Sequence, residues 1–331
     1  MKLITTVVSL VLIACHPTPS YADTFGSSAN RFDIEFVTIG DPGNPADTTG
    51  NPNPAGSVSY AYRIGKYEIS EQMIDNANSL GGLGITKDAR GPDKPATSIS
   101  WFEAAKFVNW LNTSTGNTPA YKLNFDVGVN FQLWEPSDPG YDPSNFYRNS
   151  LARYFLPSVD EWYKAAYFDP VAGEYYDYPT GSDNAPTHVA SGVFAGTAIY
   201  GLQIGPADIT VAGGLSPYGT MAQGGNAMEW EETEIDRVND NLGDTRRGLR
   251  GGYFFNPLAE GLSADSRGFS SPFLESDRGG SPGFRIASII PEPSTALLGC
   301  LATIALRLPR HWKKSLNTPT ALARPSKCSL P

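Results

Sequence analysis

Glycine and proline punctuate this chain so densely that a helical bundle is excluded. Its 331 residues include 34 glycines and 27 prolines. Glycine frees the backbone and proline removes an amide donor, so long uninterrupted helices are unavailable. Only three windows carry helix-start chemistry. Ser70 can cap a helix running to about residue 79. Ser100 and Glu103 form a Ser-x-x-Glu capping box for a helix to about residue 112. Within it, Trp101, Ala104, Ala105, Val108 and Leu111 recur at helical spacing and make one buried face. Ser158 and Glu161 repeat the box for a helix to about residue 168, with Val159, Trp162, Tyr163 and Ala166 inward. Elsewhere the pattern is strand and loop. Phe32, Ile34 and Phe36 alternate with Asp33 and Glu35, the pattern of a half-buried strand. Residues 40–56 read as a loop, 58–69 as strand-rich and 81–96 as a glycine-rich loop. From Gly181 onward only short strands fit.

The chain is long enough for one large domain, and its 40% hydrophobic and 11% aromatic content supplies a core. Formal net charge is −9. Lys2 and the six Lys and Arg residues from Arg307 onward sit in terminal stretches that carry no Asp or Glu before Asp23 or after Arg307. Setting those seven aside leaves the middle near −16. A body so acidic repels phosphate backbones, so nucleic acid is not expected as a partner.

The termini read as addresses. Lys2, an apolar run over residues 3–14 and the small-x-small site Ser20-Tyr21-Ala22 make residues 1–22 a cleavable signal peptide. A second export reading is open, because Leu12-Ile13-Ala14-Cys15 looks like a lipobox with Cys15 as the lipidated residue. At the other end, Pro291-Glu292-Pro293-Ser294 precedes an apolar run over residues 295–308. Arg310, His311, Lys313 and Lys314 follow it. This resembles the PEP-CTERM sorting tail of exported bacterial proteins. The resemblance implies that an exosortase-type enzyme cuts near Pro293, with residues 295–308 anchoring the chain transiently in the membrane and the cations kept inside. The expected division is signal 1–22, body 23–290, sorting segment 291–314 and tail 315–331. The expected location is the envelope or exterior of a Gram-negative-type bacterium.

Within the body, five stretches occur in a telling order. They are YRIGKYEIS (62–70), TSISWFEAA (97–105), YFLPSVDEWYKAAY (154–167), GGNAMEWEE (224–232), and LRGGYF, SRG and GFRIA between 249 and 287. Together they resemble the formylglycine-generating-enzyme family, the sulfatase-modifying-factor domain. The resemblance covers roughly residues 33–288. It implies a loop-rich α+β fold related to C-type lectins. Met228 stands where the family has Trp in its GNVWEW turn, and Tyr253-Phe254 where it has Ser-Trp.

The family oxidises a substrate cysteine with oxygen and copper held by two cysteines, soft ligands for a soft ion. This chain has only Cys15, Cys300 and Cys328, all in the terminal segments. Counting back from Arg267, the active pair falls near Ala259 and Ala264. Neither copper nor a thiolate zinc site is therefore expected. The single body histidine, His188, cannot build a three-histidine iron site and lacks the context of a Ser-His-Asp triad; it reads as a surface or capping residue. No catalytic residue is assigned. The resemblance does imply a structural Ca²⁺ at Asn226 and Glu229, whose oxygens are hard ligands; Glu229 paired with an arginine is the other reading. Glu231, Glu232 and Glu234 read as a solvated acidic loop. Arg246, Arg247 and Arg250 read as pairing with carboxylates, and Arg267 and Arg285 as bracing the core. Trp134, Tyr141, Tyr175, Tyr176 and Tyr178 read as loop anchors, with sugar stacking as the alternative.

Three functions follow. The first is a non-catalytic, calcium-stabilised binding or scaffold module at the envelope, for polysaccharide or a protein partner. The second is an oxidoreductase of the same family with altered chemistry. The third is a structural envelope protein.

Overall fold

The capping boxes form as the sequence dictates. In the computed structural model, which describes residues 21–124, 130–272 and 282–291, three α-helices are present among the described residues. They are α1 (Glu71–Gly81), α2 (Trp101–Ser114) and α3 (Val159–Tyr167). Ser100 and Ser158 each accept the amide of the glutamate three residues on, which returns the contact to the cap amide. Ser158→Ala is expected to cost about 1 kcal/mol, the usual worth of an N-cap oxygen. Urea unfolding checks it; an unchanged midpoint would mean that Glu161 alone holds this end of α3.

Nine strands build the two principal sheets: β1 (Tyr21–Phe25), β2 (Phe32–Ile39), β3 (Tyr62–Gly65), β4 (Tyr154–Phe155), β5 (Met228–Glu234), β6 (Arg247–Arg250), β7 (Gly268–Ser270), β8 (Pro282–Gly283) and β9 (Ala287–Ile289). The first sheet runs β1-β2-β3-β9-β4 and the second β7-β6-β5-β8. All pairings are antiparallel except β5 with β8. The last strand thus sits between β3 and β4, closing the body on itself. Phe32, Ile34 and Phe36 are buried, as the alternation requires. Trp101, wholly buried, anchors the core with edge contacts to Tyr121 and Phe131 at 5.2 and 5.3 Å.

Strand β1 spans the expected cleavage site. Tyr21 and Ala22 are exposed, whereas Asp23 takes Arg63 at 2.6 Å, Arg153 at 3.1 Å and the Tyr154 hydroxyl at 2.8 Å. Residues 1–20 and the sorting segment beyond Pro291 lie outside the described residues. No described helix is long and apolar enough to cross a membrane.

Candidate functional site

Helix α3 is the hub that ties distant segments together. Its Tyr163 hydroxyl donates to Asp47 at 2.5 Å. The Tyr167 hydroxyl reaches the carbonyls of Leu262 and Ser263, both at 3.1 Å. The Trp162 indole donates to Glu229 Oε2 at 2.6 Å. One amphipathic turn therefore positions the 41–56 loop, β5 and the segment carrying residues 259–264.

The GGNAMEW turn is built on backbone that side chains resist. Gly225 has φ +90°, and a Cβ there would lie 2.2 Å from the Ile199 carbonyl oxygen. Asn226 follows at φ +62°. Its amide is spent on the protein: Nδ2 donates to Glu68 Oε2 at 2.6 Å, and Oδ1 accepts the Ala207 amide at 2.8 Å. Glu68, 1% exposed, also accepts the Ala227 amide at 2.8 Å. Burial first, and then the nearby Glu229 charge, push its carboxyl up to about 8, with Arg285, Asn226 and Ala227 opposing.

Glu229 is gripped by a guanidinium fork. Arg285 Nε donates to Oε2 and Nη2 to Oε1, both at 2.6 Å, and both residues are wholly buried. Arg285 also holds the carbonyls of Gly65 and Met221, each at 2.9 Å. These residues do not fit a Ca²⁺. The Asn226 oxygen is committed to an amide, and a fixed guanidinium lies where a divalent cation would approach Glu229. The expected pair is brought together, but as a core ion-pair network, which is the other reading of Glu229.

The neighbouring glutamates correct a second expectation. Glu231, Glu232 and Glu234 form a buried strand instead of a solvated loop, and each meets an arginine. Glu231 contacts Arg250 at 2.9 Å and Arg267 at 2.8 Å. Glu232 contacts Arg148 at 2.9 Å and accepts the Tyr121 hydroxyl at 2.8 Å. Glu234 pairs with Arg247 at 3.0 Å and takes the Tyr147 hydroxyl. Charge pairing is what makes such burial tolerable. The arginines behave as the sequence suggests; Arg246 pairs with Asp244.

The positions of the expected cysteine pair are now visible. Ala259 opens a 3-10 turn (Ala259–Leu262) and lines a cleft of about 490 Å³ with His188, Tyr200, Gly201, Leu258 and Glu260. Ala264 is 4% exposed and packs with Ala55, Trp162, Tyr163, Ala166 and Tyr167. Two methyl groups offer no ligand to copper. Among the described residues no group of three His, Cys, Asp or Glu side chains is placed to hold a metal.

His188 is exposed, as a surface residue should be, yet it faces this cleft. Its Nδ1 lies 3.1 Å from the Tyr200 carbonyl oxygen, which only accepts. The neutral ring therefore carries its proton on Nδ1 and presents Nε2 as an acceptor. Tyr178 is half-buried; burial raises its phenol, and the charges of Glu260, Asp177 and Tyr200 add to this. Trp134 donates to the Ala120 carbonyl at 3.0 Å, Tyr141 stacks on Phe146, and the Tyr175 hydroxyl takes Asn44 at 2.6 Å. Those three are loop anchors. Tyr200 and Glu260 stand outside every sequence motif, and Glu68 lies within the 62–70 stretch without a role assigned there; only the topology gives them partners.

Residues 43–290 match the sulfatase-modifying factor enzyme 1-like domain. Treponema denticola variable protein 1 superposes with a TM-score of 0.53 at 18% identity, covering 81% of this chain and 99% of that one. CarF superposes at 0.54 and 18%, covering 78% and 99%. PvdO from Pseudomonas aeruginosa gives 0.48 and 15%, over 84% and 100%. No curated protein matches. The first two likenesses speak for the fold alone, a loop-rich α+β arrangement of the C-type-lectin-like kind.

Proposed function

The chain belongs to the sulfatase-modifying factor enzyme 1-like family, and from that premise we propose that it is a non-catalytic binding module, exported and displayed at the cell envelope. One observation carries this reading: alanines occupy both positions expected to hold the redox pair, one lining a cleft and one packed beneath aromatic rings. Without two thiolates there is nothing to hold Cu(I) or to engage a substrate thiol. Hydrogen bonds stabilise developing charge but do not activate oxygen.

What stands in the place of a reaction centre is a surface suited to sugars. Tyr200 offers an aromatic body, Glu260 a carboxylate and His188 an acceptor nitrogen, and the half-buried Tyr178 lies near enough to feel the Glu260 charge. Saccharides bind through such stacking with a few directed hydrogen bonds, so envelope polysaccharide is the ligand class proposed. The export and sorting segments supply the location, and an exosortase-type enzyme acting near Pro293 releases the body. These last points rest on the sequence.

Two assays test the reading. Incubated with copper, reductant and a Cys-x-Pro-x-Arg peptide, the protein is expected to form no aldehyde above a metal-only control, read by mass. On a glycan array it is expected to bind, and Tyr200→Ala with Glu260→Ala to lose that binding. Peptide turnover would overturn the proposal in favour of altered chemistry. A silent array would favour a purely structural envelope role.

A further inference from the structure

A second cleft opens on a different set of elements, where the 142–148 loop, the first turn of α3 and the loop after β5 converge. It encloses about 280 Å³, and its lining includes Tyr60, Asp142, Asn145, Arg148, Asp160 and Arg237. The floor is already satisfied. Arg148 forks onto Glu161 at 2.9 and 2.8 Å and reaches Glu232 through Nε at 2.9 Å. The Tyr60 hydroxyl donates to Glu161 at 2.7 Å, and Asn145 Nδ2 donates to Glu232 at 2.5 Å. None of these groups has its charge to spare.

Three groups on the walls do. Asp160 accepts the Gly56 amide through Oδ1 at 2.8 Å, and its other oxygen takes no hydrogen bond from a described residue. Asp142 spends Oδ1 on the amide and hydroxyl of Ser144, at 2.8 and 2.6 Å, and likewise leaves Oδ2. Arg237 is exposed and makes no side-chain hydrogen bond or ion pair among the described residues. It sits at φ +73°, a conformation that costs a side-chain-bearing residue about 1–2 kcal/mol. Burial raises the Asp160 carboxyl above the usual carboxylate range, while the Gly56 amide and then the Arg237 charge oppose that rise. The two charges therefore feel one another without touching.

We propose that this cleft binds a small zwitterion of the free α-amino acid or short-peptide class, its ammonium on Asp160 and Asp142 and its carboxylate on Arg237. A carboxylate matches the planar guanidinium fork, and an ammonium has three donors for two carboxylates. A lone organic cation would meet repulsion from Arg237, and a lone anion would meet it from both aspartates. The volume lies near the lower bound of ligand pockets, which suits one or two residues better than a polymer. Tyr60, 47% exposed, supplies a face for an apolar side chain. This inference is independent of the saccharide reading, since it uses neither Tyr200 nor Glu260.

Calorimetric titration of the full chain tests it with three probe sets: free L-amino acids and dipeptides, their C-terminal amides, and their N-acetyl derivatives. The free compounds are expected to saturate, and the amides and N-acetyl derivatives to bind about tenfold more weakly or worse, the worth of one charged hydrogen-bonded contact. Asp160→Asn keeps an oxygen for Gly56, and Arg237→Gln changes an exposed side chain, so both variants should fold. Each is expected to lose about tenfold or more in affinity. Melting curves confirm folding. Amides binding as well as free acids, no saturation by any free compound, or unchanged affinity in both variants would each overturn the proposal.

Discussion

Arg285→Ala is expected to cost the protein about 3–5 kcal/mol, the range seen when one partner of a buried ion pair is removed. The truncation leaves the Glu229 carboxylate wholly buried, with the Trp162 indole as its one side-chain donor among the described residues. It also orphans the carbonyls of Gly65 and Met221. Glu68, whose charged form Arg285 favours, loses that cationic support. Urea unfolding measures the loss. The double variant Glu229→Gln/Arg285→Met is expected to recover part of it, because the stranded charge is gone. A single-variant loss below about 1 kcal/mol would show that the pair is dispensable. A double variant no better than the single would show that the carbonyl contacts, and not the charge, carry the cost. Arg285→Lys is expected to recover only part of the loss, since an ammonium keeps the charge but cannot reproduce the fork.

The same logic runs along β5. Four carboxylates in seven residues, Glu229, Glu231, Glu232 and Glu234, are buried and answered by Arg285, Arg250 with Arg267, Arg148 and Arg247. Much of the body's formal acidity is therefore internal and already neutralised. A run of buried ion pairs is weak evidence for high stability, because desolvation offsets most of the attraction. Its clearer effect is on register: a slip of one residue would bring every carboxylate to the wrong guanidinium.

This strand also marks the limit of what the sequence discloses. A stretch reading MEWEETE has the composition of a solvent-facing loop, and nothing local says otherwise. The partners that bury it lie 84 residues before, at Arg148, and 56 residues after, at Arg285. Features decided by neighbours in sequence are legible. The Ser-x-x-Glu boxes start α2 and α3, and Phe32, Ile34 and Phe36 alternate into the core. Features decided by topology are not. Strand β1 reads in part as leader, because Tyr21 and Ala22 gain structure only by pairing with Phe36 and Glu35. The sequence places Asn226 and Glu229 at one turn, but it leaves their oxygens open. The Ala207 amide and the Arg285 guanidinium, which occupy them, are 19 and 56 residues away respectively.

Glu68 sets the last expectation: between about pH 5 and pH 8 the protein should lose stability as pH rises. This carboxyl is buried with two neutral hydrogen-bond donors, Asn226 and Ala227, and makes no salt bridge among the described residues. Burial and the Glu229 charge push it up to about 8 from an ordinary 4.5. In that window the folded chain keeps a proton that the unfolded chain has released. Stability is then fullest below the unfolded value and falls through the folded one, the reverse of a salt-bridged carboxylate. Each tenfold gain in proton affinity on folding corresponds to about 1.4 kcal/mol, so the falling limb is steep enough to read by unfolding. Lys164 acts in the next window with the opposite sign. Burial lowers it to about 8 against the pull of Asp41, so above that pH the unfolded chain holds the extra proton and stability rises. The profile of unfolding free energy against pH is therefore expected to pass through a minimum near pH 8. Glu68→Gln, which cannot ionise, should remove most of the falling limb and leave the rising one. Urea unfolding at unit steps from pH 5 to pH 10 reads both limbs. Parallel profiles for the two proteins would show that Glu68 has the same proton affinity in the folded and unfolded states, and that the Asn226 turn holds a charged carboxylate at neutral pH.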